Sequence, residues 1–210
     1  MEECAVLKVQ GREQESGDWC LFFFIYKIIR SVFKGEMSGK KEEYEHIRHC
    51  FEPVYDENSK VLILGSFPSV RSRSQGFYYG HPQNRFWKVL PVILGYEADY
   101  LKKAEIQDKI SFLKKHKIAI WDVIESCDII GSSDSSIKNV IPADLEGILQ
   151  QTEINTIFTN GKLAGTLYET YFGKKIKLKH MILPSTSPAN AAYNMEKLVE
   201  KWSVVSGESL

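Results

Sequence analysis

The sequence has no excess charge of either sign: 27 Lys and Arg balance 27 Asp and Glu in 210 residues. The whole chain is therefore not a polycation. Any affinity for nucleic acid must come from local charge and must be modest and salt-sensitive. Cysteine is scarce. Cys4, Cys20, Cys50 and Cys127 lie far apart and form no C-x-x-C pair, which argues against a structural zinc site or an iron–sulfur cluster. None of the five histidines pairs with another histidine or cysteine at metal-ligand spacing. The apolar run Leu21–Tyr26 is soon followed by Lys27 and Arg30 and is too short to span a bilayer. Its lead is acidic and contains glycine, unlike the basic lead of a secretion signal. An intracellular, reducing, cytoplasmic setting is expected. There is no G-K-[ST] at P-loop spacing and no G-x-G-x-x-G, and Gly161-Lys162 lacks the other glycine in register. Nucleotide hydrolases of those kinds are disfavoured. No nucleophilic triad, internal repeat or low-complexity tract is visible.

What is present is an ordinary globular composition, 43% hydrophobic and 26% charged, with enough length to bury a core. Residues 1–43 differ from the rest and read as a weakly ordered N-terminal extension. The aromatic-aliphatic patch Trp19–Phe33 within it has the makings of an amphipathic helix. Met37, followed by Ser38-Gly39-Lys40-Lys41, offers an alternative start for a more compact protein. Residues 44–210 read as one domain. Short apolar strands are expected at Val61–Leu64, Ile118–Ile124, Ile154–Phe158 and Ile176–Leu183. Helices are expected at Asn84–Leu94, 98–115, Asp144–Leu149, Leu163–Phe172 and Ala191–Trp202. This alternation predicts an α/β fold: three α/β/α layers around a four-stranded, mainly parallel sheet. Ligands bind such sheets beyond the carboxyl ends of the strands. The loops that fall there are 65–87, 125–138, 159–162 and 184–190.

The first of these loops dominates. Residues 61–90 carry Arg71, Arg73, Arg85 and Lys88 and no acidic residue, with an aromatic cluster at Phe77, Tyr78 and Tyr79. Tyr78 and Tyr79 sit between Gly76 and Gly80, so exposure in a loop is expected, and a base can stack on such a ring. Phe86 and Trp87 read as core, and His81 as a residue that structures its loop. Asn84 is either a helix cap or an amide that holds a water or reads a base edge. Ser185–Asn190 places hydroxyls and an amide at an expected helix N-terminus, a setting suited to phosphate. Lys174, Lys175, Lys177 and Lys179 form either a solvated face or a polyanion contact. Asp122 is the only carboxylate that the strand reading puts near the cleft.

Taken together, GSFPSVRSRSQGFYYGHPQNRFWKV at 65–89, WDVIESCD at 121–128, TNGK at 159–162 and LPSTSPANA at 183–191 resemble the uracil-DNA glycosylase superfamily. The closest likeness is to its hypoxanthine-DNA (DNA-deoxyinosine) glycosylase branch. The resemblance covers about residues 49–203. It implies an enzyme of base excision repair, a monofunctional hydrolase of the N-glycosidic bond. Such an enzyme flips a deaminated base out of DNA and releases it, hypoxanthine first, with uracil or xanthine as further substrates. It implies no metal and no organic cofactor. The implied partner is double-stranded DNA carrying a deaminated base, with single-stranded DNA as a second form, bound by a monomer with no membrane role.

Carried over residue by residue, the resemblance makes Asn84 the catalytic amide that holds the attacking water. It puts the base against Tyr79, with Tyr78 as second choice, and against the backbone of Gly65, Ser66 and Phe67. Asn160 would contact the base or support Asn84. Ser185, Ser187, Pro188, Ala189 and Asn190, with Arg71 and Lys162, would hold the DNA. Two departures stand out. Related uracil glycosylases carry a polar catalytic residue where this chain has Phe67, which shifts the burden to Asn84. Relatives also place a larger wedge where this chain has Ala189. A non-catalytic nucleotide- or nucleic-acid-binding module on the same fold is the alternative that Phe67 favours. A metal-dependent phosphohydrolase is a third, opposed by the lack of a carboxylate or histidine cluster.

Overall fold

The computed structural model describes residues 43–207. Nearly all of the N-terminal extension, with Trp19–Phe33, Met37, Cys4 and Cys20, lies outside the described residues. In chain order the strands are β1 (Glu45–Arg48), β2 (Val61–Gly65), β3 (Ile118–Asp122), β4 (Ile124–Ile129), β5 (Lys138–Pro142), β6 (Thr156–Asn160) and β7 (Lys179–Leu183). The helices are α1 (Val70–Gln75), α2 (Phe86–Ile93), α3 (Ile106–Lys115), α4 (Leu145–Gln150), α5 (Lys162–Tyr171) and α6 (Met195–Trp202).

The expected central sheet is there. Its order is β3-β2-β6-β7, and every neighbouring pair is parallel. Leu62, Ile63, Leu64, Ile120, Ile157 and Phe158 are fully buried, as continuous apolar strands covered on both faces must be. The layers are α/β/α, as in the expected class. α3 packs on β3, α5 on β6 and β7, and α2 against α6.

Four expectations change. The apolar run Ile118–Ile124 is not one strand. Val123 donates its N–H to the Gly65 carbonyl at 2.9 Å but accepts from the Ala143 N–H at 2.9 Å. The chain therefore leaves the parallel sheet there and enters β4, so much of the loop read at 125–138 is strand. β1, β4 and β5 form a separate antiparallel sheet over a small core of Ile124, Cys127 and Ile129. The helix read at 98–115 begins at Ile106, where Glu105 and Asp108 form a reciprocal capping box. The last helix begins at Met195, capped by Asn194, not at Ala191. The Ser185–Asn190 segment is thus a free-standing turn several residues before the helix, and the helix-terminus argument for phosphate binding there does not hold.

Phe86 joins the sheet to the site. It is fully buried and its ring meets Tyr79 at 4.1 Å, Trp87 at 4.9 Å and Trp202 at 5.8 Å. Phe86→Ala should lower unfolding stability by about 3–5 kcal/mol, read as a shift of the urea midpoint at unchanged slope.

Candidate active site

A cavity of about 570 Å³ opens at the carboxyl ends of the parallel strands. That lies within the range of small-molecule sites. Its walls come from the turn after β2, the first turn of α1, the segment before α2, the end of β3, the β6–α5 junction and the turn after β7. Every residue expected at the site lines it. Gly65, Ser66, Phe67, Tyr78 and Tyr79 do so from the segment between β2 and α2, with Arg71 and Asn84; Asn160 and Lys162 do so from the end of β6 and the start of α5. Ser185, Ser187, Pro188, Ala189 and Asn190 complete it. Lys174, Lys175, Lys177 and Lys179 are exposed around the amino end of β7, the opposite end of the sheet, so they act as a solvated face.

Asn84 is half-buried. Its Oδ1 accepts the Phe86 N–H at 3.0 Å, and its own N–H donates to the His81 carbonyl at 2.8 Å. A carbonyl oxygen has two lone pairs. The helix cap position itself is Arg85; the turn bond to Phe86 fixes the Asn84 amide and leaves one lone pair and the NH2 for the cavity. His81 shapes the same turn, its Nδ1 accepting the Gln83 N–H at 3.1 Å. Asn160 is clamped by Thr186: Nδ2 donates to Thr186 Oγ1 and Oδ1 accepts the Thr186 N–H, both at 2.9 Å. The chain approaches closely here, since a Cβ on Gly161 (φ +103°) would lie 2.9 Å from Ser185 Cβ.

The two tyrosines part company. Tyr78 is not exposed: its ring packs on Phe51 and Phe77, and its hydroxyl donates to the Glu52 carbonyl at 2.9 Å. Tyr79 sits at φ +52°, an uncommon conformation for a bulky residue. It is held by flanking bonds from Gly80 N–H to Ser72 Oγ and from Trp87 Nε1 to the Tyr78 carbonyl. Its hydroxyl is buried with no hydrogen-bond partner among the described residues. Burial, then the charge of Asp122, pushes that hydroxyl far above its ordinary pKa, with the Asn160 amide opposing. Tyr79 is therefore a neutral phenol at physiological pH.

Phe67 does not point to water chemistry. It packs on the β4 core and meets the edge of His49. His49 and Asp122 form a buried pair, with side chains 1% and 6% exposed and Nε2 to Oδ2 at 2.9 Å. His49 Nδ1 faces the Phe51 carbonyl at 2.8 Å and must carry a proton to bond there. Sequence reasoning found Asp122 but not His49, which lies 73 residues away with no local signal. It also missed Arg85 as a clamp. The Arg85 guanidinium donates to the carbonyls of Thr186, Ser187, Tyr193 and Asn190, and so ties the turn after β7 to the residue next to Asn84. Its position in the Asn84-Arg85-Phe86-Trp87 run was the available clue. Among the described residues no group of His, Cys, Asp and Glu could hold a metal ion. Cys127 is buried, which pushes its thiol up to about 11, and it is no nucleophile.

The chain matches the model of the uracil DNA glycosylase superfamily over residues 52–205. It is 33% identical over 160 residues to a protein of Methanosarcina acetivorans named hypoxanthine DNA glycosylase, covering 76% of this chain and 98% of that one. A protein of the same name from Methanosarcina barkeri is 37% identical over 142 residues, 67% of this chain and 86% of the relative. A solution NMR structure of a candidate uracil DNA glycosylase from M. acetivorans superposes with a TM-score of 0.64 at 31% identity, covering 79% of this chain and 96% of that one.

Arg85→Met should free the turn at 186–193 by removing a charged donor from four carbonyls. The expected loss is about 2–4 kcal/mol of stability, with faster amide exchange confined to that turn and the start of α2.

Proposed function

The chain belongs to the uracil DNA glycosylase superfamily, and on that premise we propose how its cavity releases a deaminated base from DNA. The enzyme is a DNA glycosylase, a hydrolase of the N-glycosidic bond that removes deaminated bases in DNA repair. Residues 44–210 form the catalytic unit, with 1–43 outside it. The preferred base is hypoxanthine, with uracil and xanthine as weaker substrates. The favoured substrate is duplex DNA, with single strands as a second form. The protein acts as a monomer inside the cell.

One observation carries this reading: the Asn84 amide, the glycine-led turn after β2 and the 185–190 turn converge on one cavity. The target nucleotide is extruded into it, since a stacked base offers no access to its sugar bond. Tyr79 backs the base. The N–H groups of Ser66 and Phe67 have no backbone acceptor among the described residues and face charge that develops on the departing base. As the glycosidic bond breaks, the sugar gains oxocarbenium character. Asn84 holds the incoming water through the lone pair of Oδ1 that the Phe86 N–H leaves free. Ser185, Ser187, Arg71 and Lys162 contact phosphates. Ala189, exposed at the tip of its turn, enters the vacated space as a small plug. Asn160 is a support for the 185–190 turn through Thr186 and a neighbour of the base.

Asn84→Ala should slow base release from a deoxyinosine duplex by about 100- to 1000-fold in single turnover. Loss of the turn bond to Phe86 should cost only about 0.5–1.5 kcal/mol of stability. EDTA should leave the wild-type rate unchanged. Near-normal release by the folded variant would move the catalytic role elsewhere. Tight binding of inosine-containing DNA with no release by the wild type would favour the non-catalytic module.

A further inference from the structure

A second cavity lies over α3 and is larger than the base cavity. It is an open cleft of about 830 Å³ between residues 99–104 and the face of α3 that carries Asp108, Ser111 and Lys115. It shares no residue with the base cavity. α3 packs on β3, an edge strand of the parallel sheet. The cleft therefore belongs to a helical layer and not to the loops at the carboxyl ends of the strands. Its floor is aromatic. Tyr100 is 54% exposed, whereas Leu101 and Phe112, which also line the cleft, are buried. The Tyr100 ring is held by Tyr96 at 4.6 Å and by Phe112 at 5.8 Å. An exposed ring with fixed neighbours offers apolar area at little entropic cost.

The charges around this floor are unevenly satisfied. Asp99 is paired with Lys102 Nζ at 2.9 Å. Asp108 Oδ2 accepts the Glu105 N–H at 3.1 Å in the capping box, in a first turn where the helix dipole favours an anion. The cations are less well served. Among the described residues neither Lys103 nor Lys115 has a carboxylate partner. Lys115 donates to the neutral Tyr96 hydroxyl at 3.1 Å. That bond raises the Lys115 pKa, so its amine stays charged. An open cleft does not enclose a small molecule as a ligand pocket does, but it takes an extended chain laid across it. Two kinds of chain carry both anions and apolar groups, an acidic peptide and a single-stranded nucleic acid. Asp99 and Asp108 decide between them, because both line the cleft. A phosphodiester chain brings a negative charge at every nucleotide. A peptide can set an apolar side chain or a backbone N–H against these carboxylates and keep its own acids for the lysines.

We propose that the cleft between residues 99–104 and α3 is a docking site for an acidic peptide segment of a partner protein. An aromatic or aliphatic side chain of the segment sits on Tyr100, and its carboxylates meet Lys103 and Lys115. The apolar anchor supplies most of the affinity, and the lysine rim steers encounter and rejects basic segments. None of these residues takes part in base release, so docking stands apart from the glycosylase reading.

The test is fluorescence anisotropy on the full chain with a fluorescein-labelled peptide of sequence EDEFLEDE. Saturable binding is expected, weakened about three- to tenfold when ionic strength rises from about 0.05 to about 0.5 M. Serine in place of the peptide's Phe and Leu should weaken it at least about tenfold, and lysine in place of its acids should abolish it. Lys103→Glu should weaken binding about 5- to 20-fold, and Tyr100→Ser about tenfold. Amide chemical shifts should move at 99–104 and 111–115 and stay still at 65–67 and 185–190. No saturable binding, equal binding of the basic peptide, or binding that neither variant weakens would overturn the docking site. So would a fluorescein-labelled oligothymidylate that shifts the same amides and binds more tightly than the peptide, since the cleft would then be a nucleic-acid contact. Should Tyr100→Ser fail to fold, Lys103→Glu and the shift map decide. Absence of base release with peptide binding intact would sink the glycosylase reading alone.

Discussion

A buried histidine–carboxylate contact at the end of β3 joins the two sheets and floors the cavity. His49 follows β1 of the antiparallel sheet, and Asp122 ends a strand of the parallel one. Aromatic rings of Phe51, Phe67, Tyr78 and Trp121 surround the imidazole, so neither partner has ready access to water. Such pairs are a poor route to stability. Well-packed apolar residues in their place are often neutral or stabilising, whereas losing one partner costs about 3–5 kcal/mol. Stability alone therefore gives little reason for the pair, of which Asp122 lines the cavity.

The central sheet was legible because its strands are continuous apolar runs, and strands buried on both faces need no alternation. The second sheet was not. β4 reads IESCDI and β5 reads KNVIP; one mixes polar residues into its core face and the other is largely exposed, so neither gives a clean period of two. The break at Val123 is set by a hydrogen bond from Ala143, a partner no local pattern announces. The cavity loops were legible for a topological reason, since parallel strands deliver their carboxyl ends to one edge. Tyr78 was misplaced because flanking glycines signal a turn but not which ring turns inward. Phe51, 27 positions before it, packs on that ring and decides the matter.

Asn84 was posed as either a cap or a catalytic amide; Arg85 takes the cap position, and Asn84 Oδ1 instead closes a turn on the Phe86 N–H. That turn bond is what orients the amide, much as hydrogen bonds of an outer shell orient ligating side chains elsewhere. Arg85 extends the same logic by one residue. Its backbone N–H and guanidinium both reach the turn after β7, so the segment that carries Asn84 is tied to that turn. Thr186 closes the circuit by clamping Asn160.

Phe67 fits this arrangement better than the polar residue its position invites. A hydroxyl or carboxylate there would stand at the edge of His49, where a second acceptor or donor could compete for the Nε2 proton. Competition would weaken the bond to Oδ2 and let the Asp122 carboxyl rotate. The phenyl ring offers no such partner. It stands T-shaped to the imidazole at 6.2 Å and packs on the β4 core. An apolar residue at 67 thus leaves the His49–Asp122 contact without a competing hydrogen-bond partner on that side.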